Sequence, residues 1–81
     1  MHVRLIAFAR LRELLGESLG SVQVAPGACI EDLWNDLARR VPAIVELMPS
    51  TRVAVNGSLA DWSTRPAEGD EIALLPPVGG G

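Results

Sequence analysis

The chemical group of greatest interest in this sequence is the carboxylate at its end. The chain finishes GDEIALLPPVGGG, so that an apolar run is followed by two prolines, a valine and three glycines. Gly79, Gly80 and Gly81 place no Cβ near the terminal carboxyl, which would let the chain end pass through a narrow channel. Pro76 and Pro77 stiffen the segment that leads there. We expect this tail to present a carboxylate that ATP activates to an acyl-adenylate, which a sulfur donor or an amine then attacks.

The remaining residues offer little for side-chain catalysis. The sequence has one histidine, His2, and one cysteine, Cys29, so nucleophilic triads lack a suitable base and no ligand cluster predicts a metal site. The glycines do not form a phosphate loop between a strand and a helix. Cys29 precedes a predicted helix, with Asp32 three residues later. A thiol at a helix start can be reactive, but we interpret Cys29 as a substitute for a Ser or Thr cap.

Composition limits the partners. A chain of 81 residues with 48% hydrophobic and 21% charged residues is typical of one globular domain. Its net charge of −3 gives no basic surface for nucleic acid or an anionic membrane. All seven cationic residues are arginines, so no lysine can form a Schiff base or accept a protein modifier. The single cysteine and the short, charge-interrupted apolar run near the start predict a cytoplasmic protein without a signal peptide.

The pattern of elements is that of an α+β domain. Strands are predicted at VRLIAFA, SVQV, RVAV, SLA and EIALLP, with RLRELLG as a short helical turn that Gly16 ends. Asn56-Gly57 predicts a two-residue hairpin and is given no other role. The main helix is predicted from an apolar stripe at helical spacing and ends before Pro42, and AIVELM predicts one more helical turn. The stripe comprises Ile30, Leu33, Trp34, Leu37, Ala38 and Val41.

The strand faces predict how these elements pack. Arg4 shares a face with Ile6 and Phe8, which indicates that this face is the less buried one and leaves Phe8 without a core partner. The last strand is apolar on both faces, as a central strand is. Placing the first and last strands side by side predicts a β-grasp roll, with a mixed sheet of about five strands and one main helix on one face. The domain is expected over residues 1–75 and a flexible tail over residues 76–81.

Four segments carry a resemblance to a known family. They are FARLRELLG, PGACIEDLWNDL, AVNGSLA and EGDEIALLPPVGGG, and the PPV followed by one residue and Gly-Gly is the specific part. Across nearly its whole length the chain resembles the MoaD-type small, sulfur-carrying subunit of molybdopterin synthase, a ubiquitin-like β-grasp family. The family implies that an ATP-dependent adenylating enzyme activates Gly81 and that a sulfur donor converts it to a thiocarboxylate. The thiocarboxylate then gives sulfur to a cyclic pyranopterin precursor, which forms the molybdopterin dithiolene.

The resemblance also implies roles for particular residues. The tail that enters the large subunit would be Pro76, Pro77, Val78, Gly79 and Gly80. The surface that contacts this partner would be Phe8, Leu59 and Leu75. The family expectation is a heterotetramer whose catalytic side chains lie on the large subunit, with no cofactor or metal bound by this chain and ATP used by the activating enzyme.

Other functions stay open at this point. A sulfur carrier for thiamine, cysteine or tRNA thiolation would share the fold and the chemistry. A ubiquitin-like protein modifier would join Gly81 to lysines of target proteins instead. A plain interaction module would have an inert tail. Trp34 is expected in the core, Trp62 is expected to pin a loop, and His2 is expected to be a half-exposed strand residue.

Overall fold

The computed structural model, which describes residues 1–77, has a five-stranded mixed sheet. The strands are β1 (His2–Ala7), β2 (Gly20–Gln23), β3 (Arg52–Val55), β4 (Ser58–Ala60) and β5 (Glu71–Leu75), and their order in the sheet is β2-β1-β5-β3-β4. The central pair, β1 and β5, is parallel, and the other neighbours are antiparallel. The prediction that the first and last strands lie side by side in the middle is confirmed.

The first helix, α1 (Ala9–Leu15), is separated from β1 by Phe8 alone. Ala9 has a φ of 51°, a left-handed conformation that a non-glycine residue adopts at a cost, and the chain leaves the sheet there. The strand predicted over VRLIAFA therefore ends at Ala7, two residues early, and Phe8 lies at its exit. Gly16 ends α1 with a φ of 40°, as the sequence predicted.

The main helix, α2 (Ile30–Arg40), packs the predicted stripe into the core. Four of its apolar residues are buried, while Ala38 near its end and Val41, the residue just after it, are half-buried. Trp34 is 2% exposed, and its ring contacts Trp62 edge-to-face at a centroid distance of 5.2 Å. Both expectations for the tryptophans are confirmed. The strand residues that meet the helices in the core are Val3, Leu5, Ala7, Val53, Ile72 and Leu74.

Two sets of hydrogen bonds satisfy the start of α2. The loop after β4 supplies carbonyl oxygens, so that Ile30 donates to Thr64 O and Glu31 donates to Trp62 O, each at 2.9 Å. Asp32 Oδ2 accepts from the Cys29 N–H at 3.0 Å and from the Cys29 thiol at 3.4 Å. These bonds lower the pKa of Asp32. Cys29 thus occupies the capping position of a capping box, as predicted.

A 3₁₀ helix (Pro42–Ser50) joins α2 to β3, so AIVELM forms a longer element than the single turn predicted. It continues past Pro49, and the hydroxyl of Thr51 donates to Leu47 O at 2.7 Å at its end. A shorter 3₁₀ turn (Gly16–Ser18) follows α1. Among residues 1–77, no helix has the length and apolar character needed to span a bilayer.

Candidate docking face and tail root

The sheet surface opposite the helices carries a row of apolar side chains across four strands. Strand register aligns Ile6 with Ala73, Ala73 with Ala54, and Ala54 with Leu59. The two alanines in the middle have short side chains that project little from the sheet. Leu59, at the outer end of the row, is 69% exposed. We call this surface the open face. Its apolar residues are Ile6, Phe8, Ala54, Leu59, Ala73 and Leu75.

The remaining two members of the open face lie where β5 ends. Ala7 pairs with Leu74 in register, and the next residue on each chain, extended Phe8 after β1 and Leu75 at the end of β5, is placed by alternation on the opposite face. Phe8 is 47% exposed and Leu75 is half-buried. The structure therefore brings the three predicted contact residues, Phe8, Leu59 and Leu75, onto one surface. Sequence patterning had singled out Phe8 and Leu75, whereas Leu59 came from the family resemblance alone.

Sequence reasoning placed Ala73 with Leu75 on the second face of the last strand but missed the contribution of Ala54 and of Arg52. Alternation in RVAV places Arg52 and Ala54 on one face, and alternation in EIALL places Ala73 and Leu75 on the other side from Ile72. The signal was therefore present in the sequence, but small residues do not mark a surface until the strand order is known.

The tail leaves the sheet beside a groove. β5 ends at Leu75, after which Pro76 is half-buried and Pro77 is exposed. The groove has a volume of about 750 Å³. Its lining residues are Pro49, Ser50, Thr51, Arg52, Leu75, Pro76 and Pro77. The tail residues predicted to insert or react further on, Val78, Gly79, Gly80 and Gly81, lie outside the described residues.

A polar clamp of side-chain hydrogen bonds holds the start of β5 against the β3–β4 turn. Asp70 accepts hydrogen bonds from the Ala67 N–H at 2.8 Å and from Asn56 Nδ2 at 3.0 Å. Asn56 Oδ1 in turn accepts from the Glu71 N–H at 2.9 Å. The Ala67 N–H and the Asn56 amide together lower the pKa of Asp70. Asn56 and Gly57 have φ values of 50° and 85°, which are those of the predicted hairpin turn, and Asn56 gains this second role.

Together, the mixed five-stranded sheet with its central parallel pair and the single main helix on one face define a ubiquitin-like β-grasp protein. The chain belongs to the ThiS family, whose model matches residues 5–81. The resemblance seen in the sequence is confirmed by curated relatives. The molybdopterin synthase sulfur carrier subunit of Chlamydomonas reinhardtii is 30% identical, with both chains covered over 100% of their length. Small archaeal modifier protein 1 of Haloferax volcanii is 35% identical, over 91% of this chain and 94% of the relative.

Solved structures agree with the fold. The crystal structure of small archaeal modifier protein 1 from Haloferax volcanii superposes with a TM-score of 0.82 at 30% identity, with 100% of both chains covered. A protein–protein complex of subunits 1 and 2 of the molybdopterin-converting factor of Helicobacter pylori contains a chain that matches with a TM-score of 0.66. That chain is 26% identical, and 100% of each chain is covered.

Proposed function

We propose that this chain is the sulfur carrier subunit of a molybdopterin synthase and that Gly81 carries the sulfur. The observation that carries the proposal is the full-length match to a relative of that name at 30% identity. The match to the family's model also runs through to Gly81.

The proposed chemistry takes place on the terminal carboxylate. On an adenylating enzyme, the Gly81 carboxylate attacks the α-phosphate of ATP, forms an acyl-adenylate and releases pyrophosphate. A hydrosulfide equivalent from a sulfur donor then attacks the acyl carbon, and AMP leaves to give the thiocarboxylate. The glycines at positions 79 to 81 leave that carbon unhindered. ATP belongs to the activating enzyme, and this chain binds no cofactor of its own. Consumption of ATP fits the cytoplasmic location predicted from the sequence.

The proposed acceptor is a cyclic pyranopterin precursor held by the large subunit. That subunit would cover the open face through Phe8, Leu59 and Leu75, because large apolar residues exposed together are typical of a binding surface. Residues 76–81, fully extended, would reach at most about 20 Å from the sheet, far enough to place Gly81 inside a second protein. A subunit complex containing a chain of this fold, that of Helicobacter pylori, supports such docking.

A protein modifier is the second candidate, because small archaeal modifier protein 1 is also a relative. In that function a target amine attacks the Gly81 adenylate and forms an amide. The absence of lysine means that this chain could not build polymers on itself through isopeptide bonds. Sulfur carriers of other pathways would share the thiocarboxylate and differ in the protein that receives it.

Reconstitution tests the proposal. The full chain is first converted to its thiocarboxylate with the host's adenylating enzyme, ATP and a sulfur donor, and is then mixed with the large subunit and the cyclic precursor. We expect dithiolene product in proportion to the thiocarboxylate consumed, and none from the chain in its carboxylate form. Absence of product, together with conjugates of this chain on lysines of other proteins, would replace the proposal with the modifier function.

A further inference from the structure

Arg52 lies on the open face at the point where the tail leaves the sheet. β3 places it in register with Leu75 of β5, and the two side chains point to the same surface. Both residues line the groove beside Pro76 and Pro77. Arg52 is therefore a cross-strand neighbour of a predicted docking contact, and its own side chain is exposed.

Arg52 has no ion-pair partner among residues 1–77. The ion pairs in that part of the chain all lie on helices: Arg10–Glu13 on α1, and Arg39–Asp36 and Arg40–Asp36 on α2. On the open face, by contrast, Arg52 stands in register with the apolar Leu75, whereas Arg4, which shares this face, stands in register with Glu71.

The acidic residue nearest in register is already engaged elsewhere. Asp61 follows Ala60, which pairs with Val53, so Asp61 comes next to Arg52 along the two strands. Its Oδ1 instead accepts hydrogen bonds from the Ser63 hydroxyl at 2.6 Å and the Ser63 N–H at 3.0 Å, with the Thr64 hydroxyl at 3.3 Å. Asp61 Oδ1 thus organises the loop after β4, and Asp61 forms no ion pair with Arg52 within residues 1–77.

Docking would change the surroundings of Arg52. A protein that covers Leu75 also removes water from the neighbouring guanidinium, which stays charged because arginine does not lose its proton in proteins. A buried cation without a partner costs more free energy than the burial of one leucine gains. A purely apolar partner surface would consequently bind poorly here. A carboxylate at this position would form two parallel hydrogen bonds with the guanidinium.

We propose that Arg52 and the groove at the tail root form a subsite for an acidic side chain, Asp or Glu, of the protein that docks on the open face. This inference rests on the proposed docking of the large subunit. The subsite would link recognition of the large subunit to insertion of the tail into that subunit, because the contact with Arg52 lies beside Pro76 and Pro77.

Binding of the full chain to the large subunit, measured by isothermal titration calorimetry, tests the subsite. We expect Arg52→Gln to raise Kd about tenfold and Arg52→Glu about a hundredfold, since charge-assisted hydrogen bonds of this kind contribute by such factors. Arg65→Gln is the matched control. Arg65 is also an exposed arginine without an ion pair among residues 1–77, but it lies in the loop that caps α2, and its replacement should leave Kd within about twofold of the starting value.

A second variant separates this inference from the docking proposal. Leu59→Asp places a charge in the apolar row and should abolish binding if the open face is the docking surface. If Leu59→Asp abolishes binding while both Arg52 variants bind as the unmodified chain does, the subsite is refuted and the docking face stands. Unchanged binding of Leu59→Asp as well would overturn the docking face itself. Unchanged thermal unfolding of each variant establishes that the fold is intact.

Discussion

Truncation of Leu59 gives a quantitative test of the open face. Leu59 lies in β4, pairs with Ala54 and leaves 69% of its surface exposed. The folded chain therefore derives little stability from this side chain, and Leu59→Ala should change the free energy of unfolding by no more than about 0.5 kcal/mol. The main effect of Leu59→Ala should therefore be on the affinity for the large subunit and not on the stability of the free chain.

The expected loss of affinity follows from the exposed fraction. Full burial of a leucine side chain contributes about 1.5–3 kcal/mol. Because 69% of Leu59 remains available to a partner, its burial contributes about 1–2 kcal/mol. Leu59→Ala should therefore raise the Kd for the large subunit by about 5- to 30-fold.

Val45 provides a matched control. It is 55% exposed, similar to Leu59, but belongs to the 3₁₀ helix that follows α2. Titration calorimetry should show Val45→Ala binding with a Kd within about twofold of the unmodified chain. Equal losses for the two variants, or no loss for Leu59→Ala, would refute docking through the open face.

Two further predictions concern the elements that support this surface. Trp62→Ala removes the edge-to-face contact with Trp34 and should lower the free energy of unfolding by about 2 kcal/mol in urea titrations, whereas a change below about 0.5 kcal/mol would show that the contact contributes little. Asp70→Asn tests the clamp through pH. Because the pKa of Asp70 is lowered in the folded state, the carboxylate stabilises the fold above about pH 4 and loses that effect as pH falls through the folded-state pKa. The difference in the free energy of unfolding between the unmodified chain and Asp70→Asn, measured by urea titration, should thus be constant near neutral pH and vanish in acid. A difference that persists at low pH would contradict the stabilising role of the Asp70 carboxylate.

Much of the fold follows from patterns that are local in the sequence. The stripe that begins at Ile30 keeps the helical period throughout the eleven residues of α2. The two apolar faces of EIALL predict a central strand. The Asn-Gly pair determines its own hairpin because few residues adopt a positive φ. Alternation along the first strand also identified Phe8 as an exposed aromatic residue, because it placed Phe8 on the face opposite the core residues of β1.

The features that escaped prediction join residues far apart in the chain. The clamp joins Asn56 to Asp70 and Glu71 across two loops, and its partners are ordinary polar residues that carry no periodic signal. The bonds from the start of α2 to the loop at Trp62 and Thr64 also depend on tertiary packing. Arg52 appeared in the sequence as one charge on a strand. Only the register with Leu75 places it at the tail root.

The measurement that most directly tests the sulfur-carrier function is top-down mass spectrometry of the intact chain after incubation with the adenylating enzyme, ATP and a sulfur donor. We predict replacement of one oxygen by sulfur, with fragment ions that locate the change to Gly81 and not to Cys29, Met1 or Met48, whose oxidation gives nearly the same mass. A variant lacking Gly80 and Gly81 should remain unmodified. An adenylate that never yields the sulfur form, or a chain whose Gly81 stays a carboxylate while the enzyme consumes ATP, would contradict the proposed function.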